Sequence, residues 1–217
     1  MKTRRWSVVV VALTFAMFLP LAVLARQNNP LLAWVLEQSS PKGQRDTHAS
    51  RPRGPEPKTA GVPRYGIIWS GKLTRSGMPK DDEAWKWLRV QGINTIVNFR
   101  QRNDVDYKKY GFESFLWIPL SGDQKPTDKQ VDTFLQWIQD PENQPVHIQC
   151  AEGKDRTGMM AALVRYAVDG WPMEEAINEA SLYRKGKPLS ADRIEWLQQW
   201  AAAHQPGSYR RQWPRRD

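Results

Sequence analysis

Between Val146 and Val168 the chain has to change from one periodicity to another in very little space. Residues 146–149 (Val-His-Ile-Gln) read as a buried strand, and residues 157–168 read as a helix. Cys150 ends the strand, and only Ala151, Glu152, Gly153, Lys154, Asp155 and Arg156 separate it from the helix. A strand that runs through so short a turn into a helix is the start of a crossover unit, which demands a sheet with helices packed on it. The rest of the chain repeats the alternation. Residues 67–69, 73–75, 93–99 and 115–118 read as strands. Helices are expected at 81–91, 103–110, 173–183 and 191–203, and one opens at Thr127 with Val131, Phe134, Leu135 and Ile138 at i, i+3, i+4 and i+7 spacing. The predicted fold is therefore α/β: three layers, with a mostly parallel central sheet flanked by helices.

The turn after Cys150 has chemistry of its own. Successive backbone N–H groups of residues 151–155 can curl toward one point above a helix N-terminus, which makes an anion site. Gly153 allows the backbone geometry that a Cβ resists. Arg156 adds a planar fork that bonds two phosphate oxygens at once. Oriented N–H dipoles beside a guanidinium favour the thiolate form of Cys150, and the Thr157 hydroxyl is expected to donate to that sulfur. The plain alternative is a lone cysteine buried as a small hydrophobe. Against it, Gly153, Arg156, Thr157 and Gly158 all fall at their spacings from one cysteine, a coincidence of about 10⁻⁵ to 10⁻⁴ for this composition.

The segment from His147 to Gly158 resembles the C-x5-R-[ST] signature of the protein tyrosine and dual-specificity phosphatase superfamily. The similarity extends over about 64–203. Arg75-Ser76-Gly77-Met78-Pro79, the strand ending Asn98-Phe99-Arg100, and the run from Gly153 to Gly158 are similar to bacterial and to plant and fungal atypical dual-specificity phosphatases. The resemblance implies a phosphocysteine intermediate, neither metal nor cofactor, and a general acid on a separate mobile loop. It places that acid at Asp123, in a stretch (118–126) punctuated by Gly122 and two prolines. Asp155 is the rival, as in some lipid-directed relatives, while Asp128 reads as a first-turn helix acid. Lys154 is either a solvated loop lysine or, as in relatives with Gly-Lys-x-Arg, a ligand for a second phosphate. One position departs from the superfamily. Gln149 stands where a histidine usually precedes the nucleophile, and it carries no charge. His147 lies two residues earlier on the same strand face; the alternatives are a weaker tendency of Cys150 to form the thiolate, or a His147 that is merely a structural neighbour.

Composition narrows the classes. One cysteine excludes an internal disulfide and a thiolate zinc cluster, and His48, His147 and His204 lack metal-ligand spacing. The net charge of +9 comes from the ends. Residues 1–62 hold nine Lys/Arg against three acids, residues 204–217 hold four against one, and 63–203 are balanced. A neutral core without a basic, aromatic-interleaved face argues against nucleic acid as a partner. Residues 1–26 read as a signal peptide or membrane anchor, with basic residues before an apolar run over 7–25. Residues 27–62 are expected to be a flexible basic, proline-rich linker, 63–203 the catalytic domain, and 204–217 a basic tail. The expected partners are a phosphorylated protein or lipid substrate and a membrane reached through the N-terminal segment, with the protein anchored or exported. Two rival functions use the same residues: a catalytically weak phosphate-binding module that lost its chemistry through Gln149, and a rhodanese-like sulfurtransferase.

Overall fold

The computed structural model describes residues 52–211. Five short strands, β1 (Gly66–Trp69), β2 (Leu73–Gly77), β3 (Thr95–Asn98), β4 (Ser114–Trp117) and β5 (Val146–Cys150), form one sheet in the order β1-β2-β5-β3-β4. β1 pairs antiparallel with β2 through an irregular register, and all the other pairings are parallel. β5, last in sequence, sits between β2 and β3, and all five of its residues are buried. The carboxyl ends of parallel strands are where α/β sheets bind ligands, and β5 ends there with Cys150.

Five helices cover the sheet: α1 (Asp82–Val90), α2 (Asp128–Gln139), α3 (Asp155–Ala167), α4 (Met173–Leu182) and α5 (Ala191–Ala203). The strand period of two divides the core. Val97, Ile148 and Cys150 join Phe134, Leu163, Ala180 and Leu197 on the face covered by α2–α5. Ile96 joins Trp85, Leu88, Tyr107 and Phe112 on the face covered by α1. These are the expected three layers. α3 is buried on every side from Thr157 to Ala167, as befits the central helix of its layer.

Helix boundaries follow local capping. Asp81 accepts from the Ala84 N–H at 2.9 Å to start α1. Thr127 and Gln130 form a reciprocal capping box at α2, which contributes about 1 kcal/mol. Three expectations shift. α3 begins at Asp155, two residues before Thr157, because the turn closes sooner than the sequence requires. β2 runs on to Gly77, paired throughout with β5. The helix expected over 103–110 shrinks to a 3₁₀ turn, Tyr107–Tyr110, because the side chains of Asn98 and Arg100 hold Asn103 and Asp104 in a loop.

Both ends of the described region make contacts with the domain. Val62 is fully buried, Lys80 N–H donates to the Gly61 carbonyl, and Arg53 N–H donates to Glu179. The segment is thus tied to the domain by these hydrogen bonds and by the burial of Val62, while most of its residues stay exposed. Beyond α5, Tyr209 donates to Asp132, and Arg210 donates to the carbonyls of Val168 and Asp169. The apolar run at 7–25 and residues 27–51 lie outside the described residues. Among the described residues no helix is long and apolar enough to cross a membrane.

Candidate active site

Cys150 is 2 % exposed and lies on the α3 face of β5. Past it the chain turns through residues 151–154, and three consecutive carbonyls of that turn are held from outside. Met78 N–H donates to Ala151 at 3.1 Å, Arg64 Nη1 to Glu152 at 2.8 Å, and Arg75 Nη2 to Gly153 at 3.2 Å. A peptide plane whose oxygen is fixed outward carries its N–H the opposite way. The first visible result is that Gly153 N–H donates to Cys150 Sγ at 3.2 Å. Gly153 has φ +72, and a Cβ there would stand 2.3 Å from Gly77 N. A Cβ on Gly77 would in turn meet the Glu152 carbonyl carbon at 2.7 Å. The turn and the end of β2 therefore pack backbone to backbone, which two glycines permit.

Lys154 caps α3 with no side-chain bond, so the amides of the first helical turn keep no side-chain partner at the cap. That end of a helix favours an anion. Arg156 is half-buried in this first turn, and its Nη1 donates to the Leu120 carbonyl at 3.1 Å. Thr157 corrects an expectation. Its hydroxyl donates to the Ser76 carbonyl at 3.4 Å and not to the sulfur, because the earlier start of α3 sets it over the end of β2. Gly158 lets α3 lie close to α4, since a Cβ there would meet Ala180 at 3.3 Å.

The two candidate acids have different surroundings. Asp123 is exposed, accepts from Ser121 Oγ at 3.2 Å, and belongs to a loop tied down by Arg156 at Leu120 and by Arg193 at Gly122. Asp155 forms an ion pair with Arg184, whose Nε also donates to the carbonyls of Lys187 and Pro188. Lys154 bonds Glu152 at 2.5 Å. That bond, followed by the charges of Lys154, Arg64 and Arg156, holds the Glu152 carboxyl below the usual range.

Behind Cys150, His147 is fully buried. Its Nδ1 meets Thr74 Oγ1 at 2.8 Å, its Nε2 meets Ser76 Oγ at 2.7 Å, and its ring stacks on Tyr65. Burial pushes its pKa down to about 3, so it is neutral and clamps β5 to β2. Gln149, also buried, donates to Tyr107 Oη at 3.5 Å, and its Oε1 has no partner. Met159, Met160, Leu163 and Tyr166 are core, as their spacing implies.

The sequence reading missed Arg64 and Arg75 as holders of the turn. For Arg75 a signal existed: an arginine inside a five-residue strand must be either on an edge or paired with something buried. Arg64 offers none, because an arginine at a domain boundary is usually solvated. Among the described residues no cluster of His, Cys, Asp or Glu could hold a metal ion.

A family model described as a DSP-PTPase phosphatase fused to NAD+ kinase matches residues 70–198. Among curated proteins, the dual specificity protein phosphatase TpbA of Pseudomonas aeruginosa strain PAO1 is 31% identical over 111 residues, 51% of this chain and 50% of that protein. TpbA of strain UCBPP-PA14 is 29% identical over 130 residues, 59% of each chain. The chain thus spans half to three-fifths of the curated relatives it matches. Among solved structures, the catalytic core of the PP-IP phosphatase Siw14 from S. cerevisiae, in complex with citrate, superposes with TM-score 0.54 at 20% identity, covering 65% of this chain and 93% of that one. A cysteine-to-serine variant of P. aeruginosa TpbA in complex with phosphotyrosine superposes with TM-score 0.53 at 22% identity, covering 71% and 98%. At these identities the structural likeness concerns the fold.

Proposed function

This chain belongs to the family described as DSP-PTPase phosphatase fused to NAD+ kinase, and from that premise we propose that it hydrolyses phosphomonoesters through a phosphocysteine intermediate. One observation carries the reading: the carbonyls of Ala151, Glu152 and Gly153 are held outward and the Gly153 N–H meets Cys150 Sγ, with Arg156 in the first turn of the helix that follows. In the first step Cys150 Sγ attacks phosphorus. The bond to the ester oxygen breaks, and that oxygen leaves as an alcohol with a proton from Asp123. The non-bridging oxygens stay on the loop amides and the Arg156 fork. In the second step water attacks phosphorus and gives its proton to Asp123. The S–P bond breaks, and thiolate and inorganic phosphate are released. Asp123 takes the acid role over Asp155 because the latter already pairs with Arg184.

The substrate we favour is a phosphorylated protein side chain. Met78, whose N–H holds Ala151, also lines a cavity of about 400 Å³ bordered by Asp81, Asp82, Asp104 and Asp106 against Lys80 and Lys109. Arg100 pairs with Asp104 and Lys109 with Asp82, which leaves Asp81 and Asp106 as the carboxylates without an ion pair, and these disfavour a polyanionic lipid headgroup more than a peptide. The apolar run at 7–25 supports a membrane-anchored or exported setting, which fractionation of the expressed full chain would test.

Rapid quench of the full chain with an aryl phosphate should trap about one covalent phosphate per chain, and Cys150→Ser should abolish both trapping and turnover. Turnover that survives Cys150→Ser would end the proposal. A binding module would trap nothing, and a sulfurtransferase would consume thiosulfate instead. A panel of phosphopeptides and phosphorylated lipids decides the substrate, and faster release from lipids would overturn the preference stated here.

A further inference from the structure

Arg75 lies in the middle of β2, opposite Ile148 of β5, and is 1 % exposed. Its guanidinium stacks on the ring of Tyr183, 3.7 Å from the centroid. Nη2 donates to the Gly153 carbonyl, whereas Nε and Nη1 meet no partner, and among the described residues no carboxylate pairs with it. A buried cation left without a counter-charge is costly, so a fold that keeps one calls for an anion.

The groups facing it narrow the choice. Burial lowers the pKa of Arg75, the charges of Tyr183, Glu179 and Cys150 raise it, and Arg165 lowers it again. Glu179 is already forked to Arg165 at 2.9 and 2.8 Å, and the Tyr183 hydroxyl donates to the Gly54 carbonyl at 3.4 Å. Cys150 is joined to Arg75 through one residue, since Gly153 accepts from Arg75 with its carbonyl and donates to the sulfur with its N–H, while Arg156, the cation of the following helical turn, is bonded to the Leu120 carbonyl. On the other face of β5, Gln149 is uncharged and His147 is held neutral, so neither supplies positive charge to the nucleophile.

We propose that Arg75 is a positioning residue: from beneath the turn it fixes the Gly153–Lys154 peptide with its N–H facing the bound phosphate, and it supplies the buried charge that keeps Cys150 a thiolate. This rests on the phosphocysteine reading for its purpose, but its test does not need turnover. Cys150 is the chain's single cysteine, so the rate of alkylation by iodoacetamide against pH reports its ionisation alone. Arg75→Met removes the charge and keeps an unbranched apolar stem, and Arg75→Lys keeps charge while losing the fork.

In full-length protein, Arg75→Met should move the alkylation midpoint up by about one pH unit, a roughly tenfold slower reaction below the midpoint. Arg75→Lys should restore the midpoint but not the affinity for inorganic phosphate, read as competitive inhibition of aryl phosphate hydrolysis. Should Arg75→Met not fold, Arg75→Gln, a neutral side chain that keeps polar hydrogens in the buried site, asks the same question of the charge. A purely structural residue would lower the thermal midpoint and leave the alkylation midpoint where it was, and that result in Arg75→Met or Arg75→Gln overturns the proposal. A wild-type chain without phosphatase activity, whose alkylation midpoint nonetheless moves when Arg75 is replaced, would remove the enzymatic reading and retain this one.

Discussion

Arg156 Nη1 donates to the Leu120 carbonyl at 3.1 Å, so the arginine of the helical turn after Cys150 is also the tie to the loop that carries Asp123. In the proposed mechanism this bond would couple binding and proton donation through one side chain. If Asp123 is the acid, Asp123→Asn should lower kcat for an alkyl phosphate by about 10²- to 10⁴-fold, and much less for a leaving group that departs without a proton. The limb of the pH–rate profile that falls as pH rises should vanish with it. Near-normal turnover with that limb intact would remove Asp123 from the role.

His147 makes a prediction about acid stability. The unfolded chain protonates this residue near pH 6.5, the folded chain only near about 3. Between these values the unfolded state binds more protons, so stability falls as pH drops, at most about 1.4 kcal/mol per pH unit from this one group. His147→Gln, which cannot titrate, should be less stable at neutral pH but lose less on acidification. Thermal unfolding of both proteins from pH 7 to 4 checks it, and parallel curves would argue against a buried neutral histidine.

The contact between Gly153 and Gly77 should be intolerant of a single methyl. Gly153→Ala combines φ +72, a left-handed geometry that costs about 1–2 kcal/mol for other residues, with a Cβ 2.3 Å from Gly77 N. Activity should fall at least about 100-fold, since small displacements of positioned groups cost that much. Gly71→Ala has a similar φ, +68, but meets nothing within 4 Å. It should lose only about 1 kcal/mol and keep its turnover.

Arg165 anchors a buried ion cluster beneath the site, bonding Asp169 at 2.9 Å and Glu179 at 2.8 Å with no side-chain exposure of its own. Arg165→Met strands two buried carboxylates and should cost about 3–5 kcal/mol in urea unfolding. A loss below about 1 kcal/mol would mean that the carboxylates find solvent or protons at little expense.

Much of the architecture was legible because it is local. Caps act across three residues, so Asp81 and Thr127 marked their helices, and α5 runs over the expected 191–203. The change from strand to helix around Cys150 set thiol and guanidinium at the two ends of one turn. Thr157 was misjudged because its partner depends on where the turn closes, which two residues of helix decide. The helix expected over 103–110 failed for a similar reason, since side chains from β3 and the residue pair after it compete with helical bonds.

By itself the sequence determined the class of fold, the strand, turn and helix that carry Cys150 and Arg156, and the glycine between them, because periodicity and backbone stereochemistry act over a few residues. Only the tertiary structure decided what holds that turn open. The bonds from Arg64 to Glu152 and from Arg75 to Gly153 join residues 88 and 78 positions apart. They exist because β5 inserts beside β2 in one register, and a register between distant strands is set by the packing of both faces of the sheet, which no local pattern encodes.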